Sequence, residues 1–400
     1  MFLTNAIKIS WFKASLSWRN LINHRQRFIS AIFAVSFAVI LMFTQLGFRN
    51  GMLASNIAFL QLLNADLIIV NSQRNITTLE RTFKRTRLYQ ARSLSEITTA
   101  SPFYLTLATW KNKITTEERV IRVFAFNPEY NVFLLPEIDV MLNDLKRANT
   151  VLADLKSRKA YGSMQKGVST ELSSYRINVV GNFELGTDFI ADGNLIMGDR
   201  TFIQIFSQRP SGFAGDFRTS LEDVDLGLLT VKSGTNLDEL ATRLQKILPN
   251  DVRVFTKKDY VDREIKFYSA ATLGFIFTLG AIIGFVIGTV IVYNIIITDI
   301  KQNMVEYGTL RAIGHSSRYL LSIILLQAMF IAILGFIPGL ISSILLCTFL
   351  SYITGLLIPI QPDVAISIFF STIAMCLLAG FIAARRLNVI DPADIYAQKF

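Results

Sequence analysis

Hydrophobic positions in this chain fall into long uncharged runs near both ends, and polar positions gather in the middle. Phe28 to Phe48 carries no charge over 21 residues, which is about 31 Å as a helix against a hydrocarbon core of about 30 Å. A cleavable leader would have a shorter apolar core and a shorter basic lead than these 27 residues, so the run predicts a membrane helix. Uncharged runs return at 267–298, 319–362 and 364–384. The 44 residues of 319–362 would make a single helix of about 66 Å. They allow a hairpin turning at Pro338-Gly339, or one helix kinked by Pro338 and followed by a re-entrant or extracytoplasmic stretch.

Charge chooses between these. Lys8, Lys13, Arg19, Arg25 and Arg27 precede the first run without an acid, and Lys301, Arg311 and Arg318 lie in 299–318. Arg385, Arg386 and Lys399 follow the last run, whereas 351–363 holds no base. By the positive-inside rule the basic segments are cytoplasmic. Four helices with both termini inside satisfy this; a hairpin would put Arg385 and Arg386 outside. The predicted spans are 28–48, 267–298, 319–350 and 364–384, with a cytoplasmic loop 299–318, an outer loop 351–363 and a cytoplasmic tail 385–400. Residues 1–27 form a cytoplasmic segment in which Leu3, Ile7, Trp11, Ala14, Trp18 and Leu21 recur at helical spacing. That predicts an amphipathic helix at the membrane surface or packed on another protein.

Composition agrees: 52% of residues are hydrophobic and 18% charged, too apolar for an ordinary soluble domain. The net charge of +10 divides by location. The cytoplasmic pieces hold 11 basic and 4 acidic residues, and 49–266 holds 29 and 25, so the excess is mainly a topology signal. The fold class expected is an integral α-helical membrane protein with a large extracytoplasmic α+β domain, one large or two small, over 49–266 between helices 1 and 2. Asp66–Val70, Arg119–Phe126, Tyr175–Phe183 and Leu226–Val231 read as strands. Asn236 caps a helix reaching Leu248, with Leu237, Leu240, Leu244 and Ile247 on one face, and the flanking strands make a βαβ-like unit. Cys347 and Cys376 are the only cysteines and fall in membrane helices.

Several chemistries are absent. The sequence has no Gly-Lys pair and hence no P-loop. His24 and His315 have no ligand-spaced neighbours, so no metal site is expected. No Asp, Glu, Lys or Arg lies within the spans, whereas ion-coupled carriers need an ionisable group there. Neither an autonomous enzyme nor a secondary carrier fits, and no catalytic residue or bound cofactor is expected.

Two features remain. Gly280, Gly284 and Gly288 recur every four residues on the second helix, a spacing that lets helix backbones approach closely, either within the chain or across a dimer. The cytoplasmic loop places Met304, Tyr307, Leu310 and Ile313 on one helical face beside Glu306 and Arg311, and Gly314 stops the helix. A short amphipathic helix joined to two spans is placed to bind a partner and pass on its motion.

The segment Glu306-Tyr-Gly-Thr-Leu-Arg-Ala-Ile-Gly314 resembles the coupling helix of the MacB/FtsX-like permeases of ABC transporters, whose order of one helix, large outer domain and three helices is similar. Leu46-Gly-Phe-Arg49, Arg87-Leu-Tyr-Gln90, Phe126-Asn-Pro128, Asp192-Gly-Asn-Leu-Ile196 and Asp391-Pro-Ala-Asp394 narrow the resemblance to the DevC-type permeases of cyanobacteria. It implies a MacB-like fold in the inner membrane, a homodimer, a separate cytoplasmic ATPase that carries the ATP, a periplasmic membrane-fusion adaptor and a TolC-like outer-membrane duct. The implied function is export of lipid, glycolipid or other periplasmic cargo. On this reading Met304, Glu306, Tyr307, Leu310 and Arg311 contact the ATPase. The rival reading is an FtsX-like mechanotransmitter regulating a cell-envelope partner. The basic run Arg81, Lys84, Arg85, Arg87 and Arg92 reads as a solvated surface or a contact for adaptor or lipid.

Overall fold

The computed structural model describes residues 25–207, 210–211, 216–217, 220–354, 356 and 358–387. The expected surface helix of residues 3–22 lies outside them. The chain divides into two units: 1–50, 272–349 and 358–400 form one, and 51–271 with 350–357 the other.

The first unit is helical. Helix α1 spans Arg25–Leu62, α7 Thr272–Gln302, α8 Met304–Ala312, α9 Ser317–Thr354 and α10 Pro362–Leu387. Four of these, α1, α7, α9 and α10, are long and apolar enough to cross a membrane. Ala31, Val35, Ala38, Val39 and Met42 of α1 meet Val292 and Ile296 of α7, Ile324, Ala328 and Ala332 of α9, and Met375 and Ala379 of α10. Alanines recur among these contacts, letting helices held by close packing in lipid approach one another. Pro338 lies inside α9 without ending it, as proline is tolerated in membrane helices where local adjustment re-satisfies the freed backbone groups.

The second unit is a mixed sheet between two layers of helices. Its strands are β1 Leu67–Asn71, β2 Ile97–Lys111, β3 Glu118–Phe126, β4 Thr150–Asp154, β5 Ser169–Leu172, β6 Tyr175–Phe183, β7 Asn194–Gly198, β8 Leu226–Val231 and β9 Val252–Thr256. Their order is β9-β1-β8-β2-β3-β7-β4-β6-β5. β3 pairs with β7, and β4 with β6, in parallel; the other pairs are antiparallel. Helices α2 (Thr86–Arg92), α4 (Asp199–Phe206) and α5 (Leu237–Ile247) cover one face. The end of α1, with α3 (Pro136–Leu145) and α6 (Lys257–Ala270), covers the other. The strand period of two divides the core: Tyr104, Ala108, Ile121 and Val123 face the first layer, and Phe103, Leu105, Phe124 and Phe126 the second. Because both faces are covered, the middles of these strands are buried continuously, over 101–106 in β2 and 121–126 in β3.

Asn236 caps α5 as expected, its side chain accepting from the Asp238 and Glu239 N–H groups at 3.2 and 3.4 Å. The βαβ unit is split, however: β8 and β9 both pair with β1, which lies between them.

Helix boundaries differ from the hydropathy spans. α1 continues past Phe48 to Leu62 because residues 49–62 hold no proline and bury Met52, Ile57, Phe59 and Leu60. Phe267 to Ala270 belong to α6, and Ala271 is extended before α7 begins. Tyr260, Glu264 and Tyr268 form a buried stripe at four-residue spacing, so packing on the sheet, rather than apolarity, sets that boundary.

Candidate functional site

The loop between α7 and α9 is built by local chemistry. α7 ends as Asn303 leaves helical geometry, while the Asn303 side chain donates to Asp299 Oδ1 at 3.2 Å. α8 follows at once. At its far end Gly314 takes φ of 101°, its N–H donates to the Arg311 carbonyl at 3.1 Å, and His315 N–H donates to the Leu310 carbonyl at 3.1 Å. These two bonds form a Schellman cap, which requires a left-handed residue and so favours glycine. His315 then stacks on Tyr319, ring centroids 4.3 Å apart, as α9 begins.

The amphipathic period of α8 is present, but its apolar face has another destination than expected. Tyr307 is only 2% exposed and, with Leu310, packs on the bundle formed by α1, α7, α9 and α10. Burial pushes the Tyr307 phenol well above its usual range. Tyr307 is therefore a root of the helix and not a group that fills a partner's groove; that assignment is corrected. Met304 and Arg311 are half-buried, and the outward edge is Val305, Glu306, Thr309 and Ile313, the last 73% exposed. Sequence reading missed Val305 and Thr309, because period alone does not say which face the parent bundle takes.

The glycine seam is used within the chain. A Cβ on Gly280 would lie 2.6 Å from Gln45, on Gly284 3.3 Å from Leu41, and on Gly288 2.7 Å from Ala38, so α7 lies directly on α1. A second seam was legible but missed, Gly335-Phe-Ile-Pro-Gly339. A Cβ on Gly335 would lie 2.6 Å from Val35, and on Gly339 2.8 Å from Val39. Ser36 Oγ adds a buried hydrogen bond to the Gly335 carbonyl at 2.9 Å. α1 is thus held closely by both α7 and α9.

In the sheet unit, buried polar groups form a network that sequence reading did not find. Arg74 is fully buried and donates to Asp225 at 3.0 Å and to the Arg81 carbonyl at 3.0 Å. Thr77 donates to Glu264 Oε1 through its N–H at 2.7 Å and its hydroxyl at 2.9 Å. Beside it a cavity of about 260 Å³ is lined by Leu79, Leu105, Ile190 and Arg122 among others, and Arg122 is ion-paired with buried Asp188. Two cations of the basic run are ion-paired by the fold: Lys84 meets Asp223 at 2.7 Å and Arg87 meets Asp251 at 3.1 Å. Among the described residues no group of His, Cys, Asp and Glu is placed to hold a metal.

Comparison with known proteins places this loop in context. Residues 267–392 match the family described as FtsX-like permease C-terminal, a region that holds α7, α8, α9 and α10 whole. A stretch of 129 residues, 32% of the chain, is 28% identical to the macrolide export ATP-binding/permease protein MacB of Shigella sonnei. The same length is 27% identical to MacB of Escherichia coli K12. The chain spans only 20% of the length of these relatives. Among solved structures, the periplasmic region of MacB from Actinobacillus actinomycetemcomitans aligns at a TM-score of 0.34 and 13% identity, covering 54% of this chain and 97% of that one. The extracellular domain of the transporter YknZ from Gram-positive bacteria aligns at 0.33 and 11%, covering 48% and 99%.

Proposed function

We propose that this chain is the membrane permease subunit of an ABC-type exporter of the inner membrane, in which α8 receives motion from a cytoplasmic ATPase. The observation that carries this reading is the construction of α8. One face is rooted in the bundle through Tyr307 and Leu310, the other presents Val305, Glu306, Thr309 and Ile313, and both ends join long apolar helices within the FtsX-like region. A short helix fixed in this way passes a push to α7 and α9 in place of absorbing it.

The sheet unit then transmits that motion outside the membrane to an adaptor and a TolC-like duct. Cargo need not pass between the helices, in keeping with spans that hold no Asp, Glu, Lys or Arg. The relatives are named for macrolide export; for this chain the resemblance to DevC-type permeases favours lipid or glycolipid. The working unit is a homodimer. ATP hydrolysis resides on the partner ATPase.

The test is copurification. Tagged full-length protein should retain a nucleotide-hydrolysing partner from host membranes, and Ile313→Asp should abolish that retention without lowering the amount of protein in the membrane. Equal retention by the variant would remove α8 from the interface. Recovery of a cell-wall hydrolase without an outer-membrane duct would favour envelope regulation over export.

A further inference from the structure

Three arginines from three elements converge where α8, the start of α9 and the end of α10 meet. Arg311, Arg318 and Arg385 line a cavity of about 170 Å³ whose remaining wall includes Leu321, Ile324 and Phe381. Among the described residues no carboxylate lines it.

Ordinary roles account for part of this. Arg385 lies in the last turn of α10, where a cation complements the carbonyl end of the helix dipole, and its guanidinium lies over the Phe381 ring at 4.6 Å. Beyond the basic bias of its loop, Arg318 has no such account. It occupies the first turn of α9, the positive end of a 38-residue helix, where a cation is unfavourable and an anion favourable. Arg318 and Arg385 face one opening, where a bound anion would relieve their mutual repulsion. Ser317, the first residue of α9, also lines the cavity.

We infer that this cavity binds the phosphate of an anionic membrane lipid. The arginines and the α9 N-terminus would hold the phosphate, and Leu321, Ile324 and Phe381 would carry the start of an acyl chain. The apolar half of the wall distinguishes a lipid from a free anion, and the cavity opens at the ends of two apolar helices. Basic clefts between membrane helices near the headgroup level recognise such lipids through this combination. The inference rests only on the membrane reading of α9 and α10, not on a partner ATPase or on which side this end faces. Its test is therefore independent of both.

Full-length protein purified in a maltoside detergent is incubated with phosphatidylglycerol or phosphatidylcholine, and retained lipid is read by native mass spectrometry. Phosphatidylglycerol should be retained in preference to phosphatidylcholine. Arg318→Gln and Arg385→Gln should each weaken that retention about fivefold, with an unchanged thermal midpoint and with rescue by the corresponding lysine variants. Retention in the double glutamine variant equal to wild type would overturn the inference. So would displacement of the lipid by millimolar inorganic phosphate, which would mark a free-anion site. Loss of ATPase copurification in the double variant with unaltered lipid retention would assign the arginines to a protein partner and overturn it equally.

Discussion

At the scale of the residue, the glycines of α9 and one buried carboxyl carry the sharpest expectations. Gly335 and Gly339 let α1 approach so closely that any side chain there must displace Val35 or Val39. Gly339→Leu should destabilise the helical unit by about 1–3 kcal/mol, the usual cost of overpacking, measured by unfolding in mixed micelles. Gly314→Leu should do its damage differently, by straining the α8 cap at positive φ, with no neighbour within 4 Å to displace. Glu264 is 1% exposed, and burial pushes its carboxyl above the ordinary 4.5, against the hydrogen bonds from Thr77 and the nearby charges of Arg74 and Arg263. The folded chain therefore binds this proton more readily than the unfolded chain does. Its contribution is most favourable below pH 4.5 and declines as pH rises through the folded-state value. Glu264→Gln should remove that decline, so the denaturation midpoint followed by circular dichroism should change less with rising pH than in wild type. Parallel pH profiles would show that Glu264 does not titrate in this way.

At the scale of the element, α8 separates anchoring from contact. Leu310→Asp, which the amphipathic pattern alone would offer as a clean uncoupling change, should also loosen the helical unit, because Leu310 packs on its core. Val305→Asp should leave thermal stability within about 0.5 kcal/mol of wild type, as exposed substitutions do, while reducing ATPase retention. The contrast between the two variants, read by thermal unfolding and by pull-down, tests the division of the helix. The spacing of Met304, Tyr307, Leu310 and Ile313 is legible in the amino-acid sequence, as is the stop at Gly314. Which face turns inward is not, since that depends on Ile324 and Ala328 of another helix. The α6–α7 break is hidden for a similar reason. Residues 267–270 are uncharged like the span that follows, yet the Tyr268 hydroxyl meets Thr78 Oγ1 at 3.2 Å in the sheet unit. Pro338 illustrates the reverse case, a residue that reads as a breaker and lies inside one helix, flanked by the two glycines of a seam.

At the scale of the whole molecule, the number of long apolar helices followed from charge and length, while the sheet order did not. β8 and β9 were each readable as strands, but the insertion of β1 between them joins residues more than 150 apart in the chain. Sidedness has a direct test, because the native thiols Cys347 and Cys376 are both buried and give little background. With both termini inside, Thr115→Cys should react with a membrane-impermeant maleimide from the outer side of intact spheroplasts, and Ser316→Cys only after permeabilisation. The reverse pattern would invert the topology.

The absence of charge along the four spans has an electrical consequence. A membrane potential does work on a protein only by moving charge through the field, about 2.3 kcal/mol per elementary charge per 100 mV. The uncharged spans, as distinct from helix ends such as Arg318 and Arg385, give the potential little to act on when they tilt or slide. At fixed ATP, collapsing the potential across proteoliposomes with valinomycin should therefore leave the rate of any rearrangement of these helices unaltered. A rate that followed the voltage would require a charge to enter the field from a helix end.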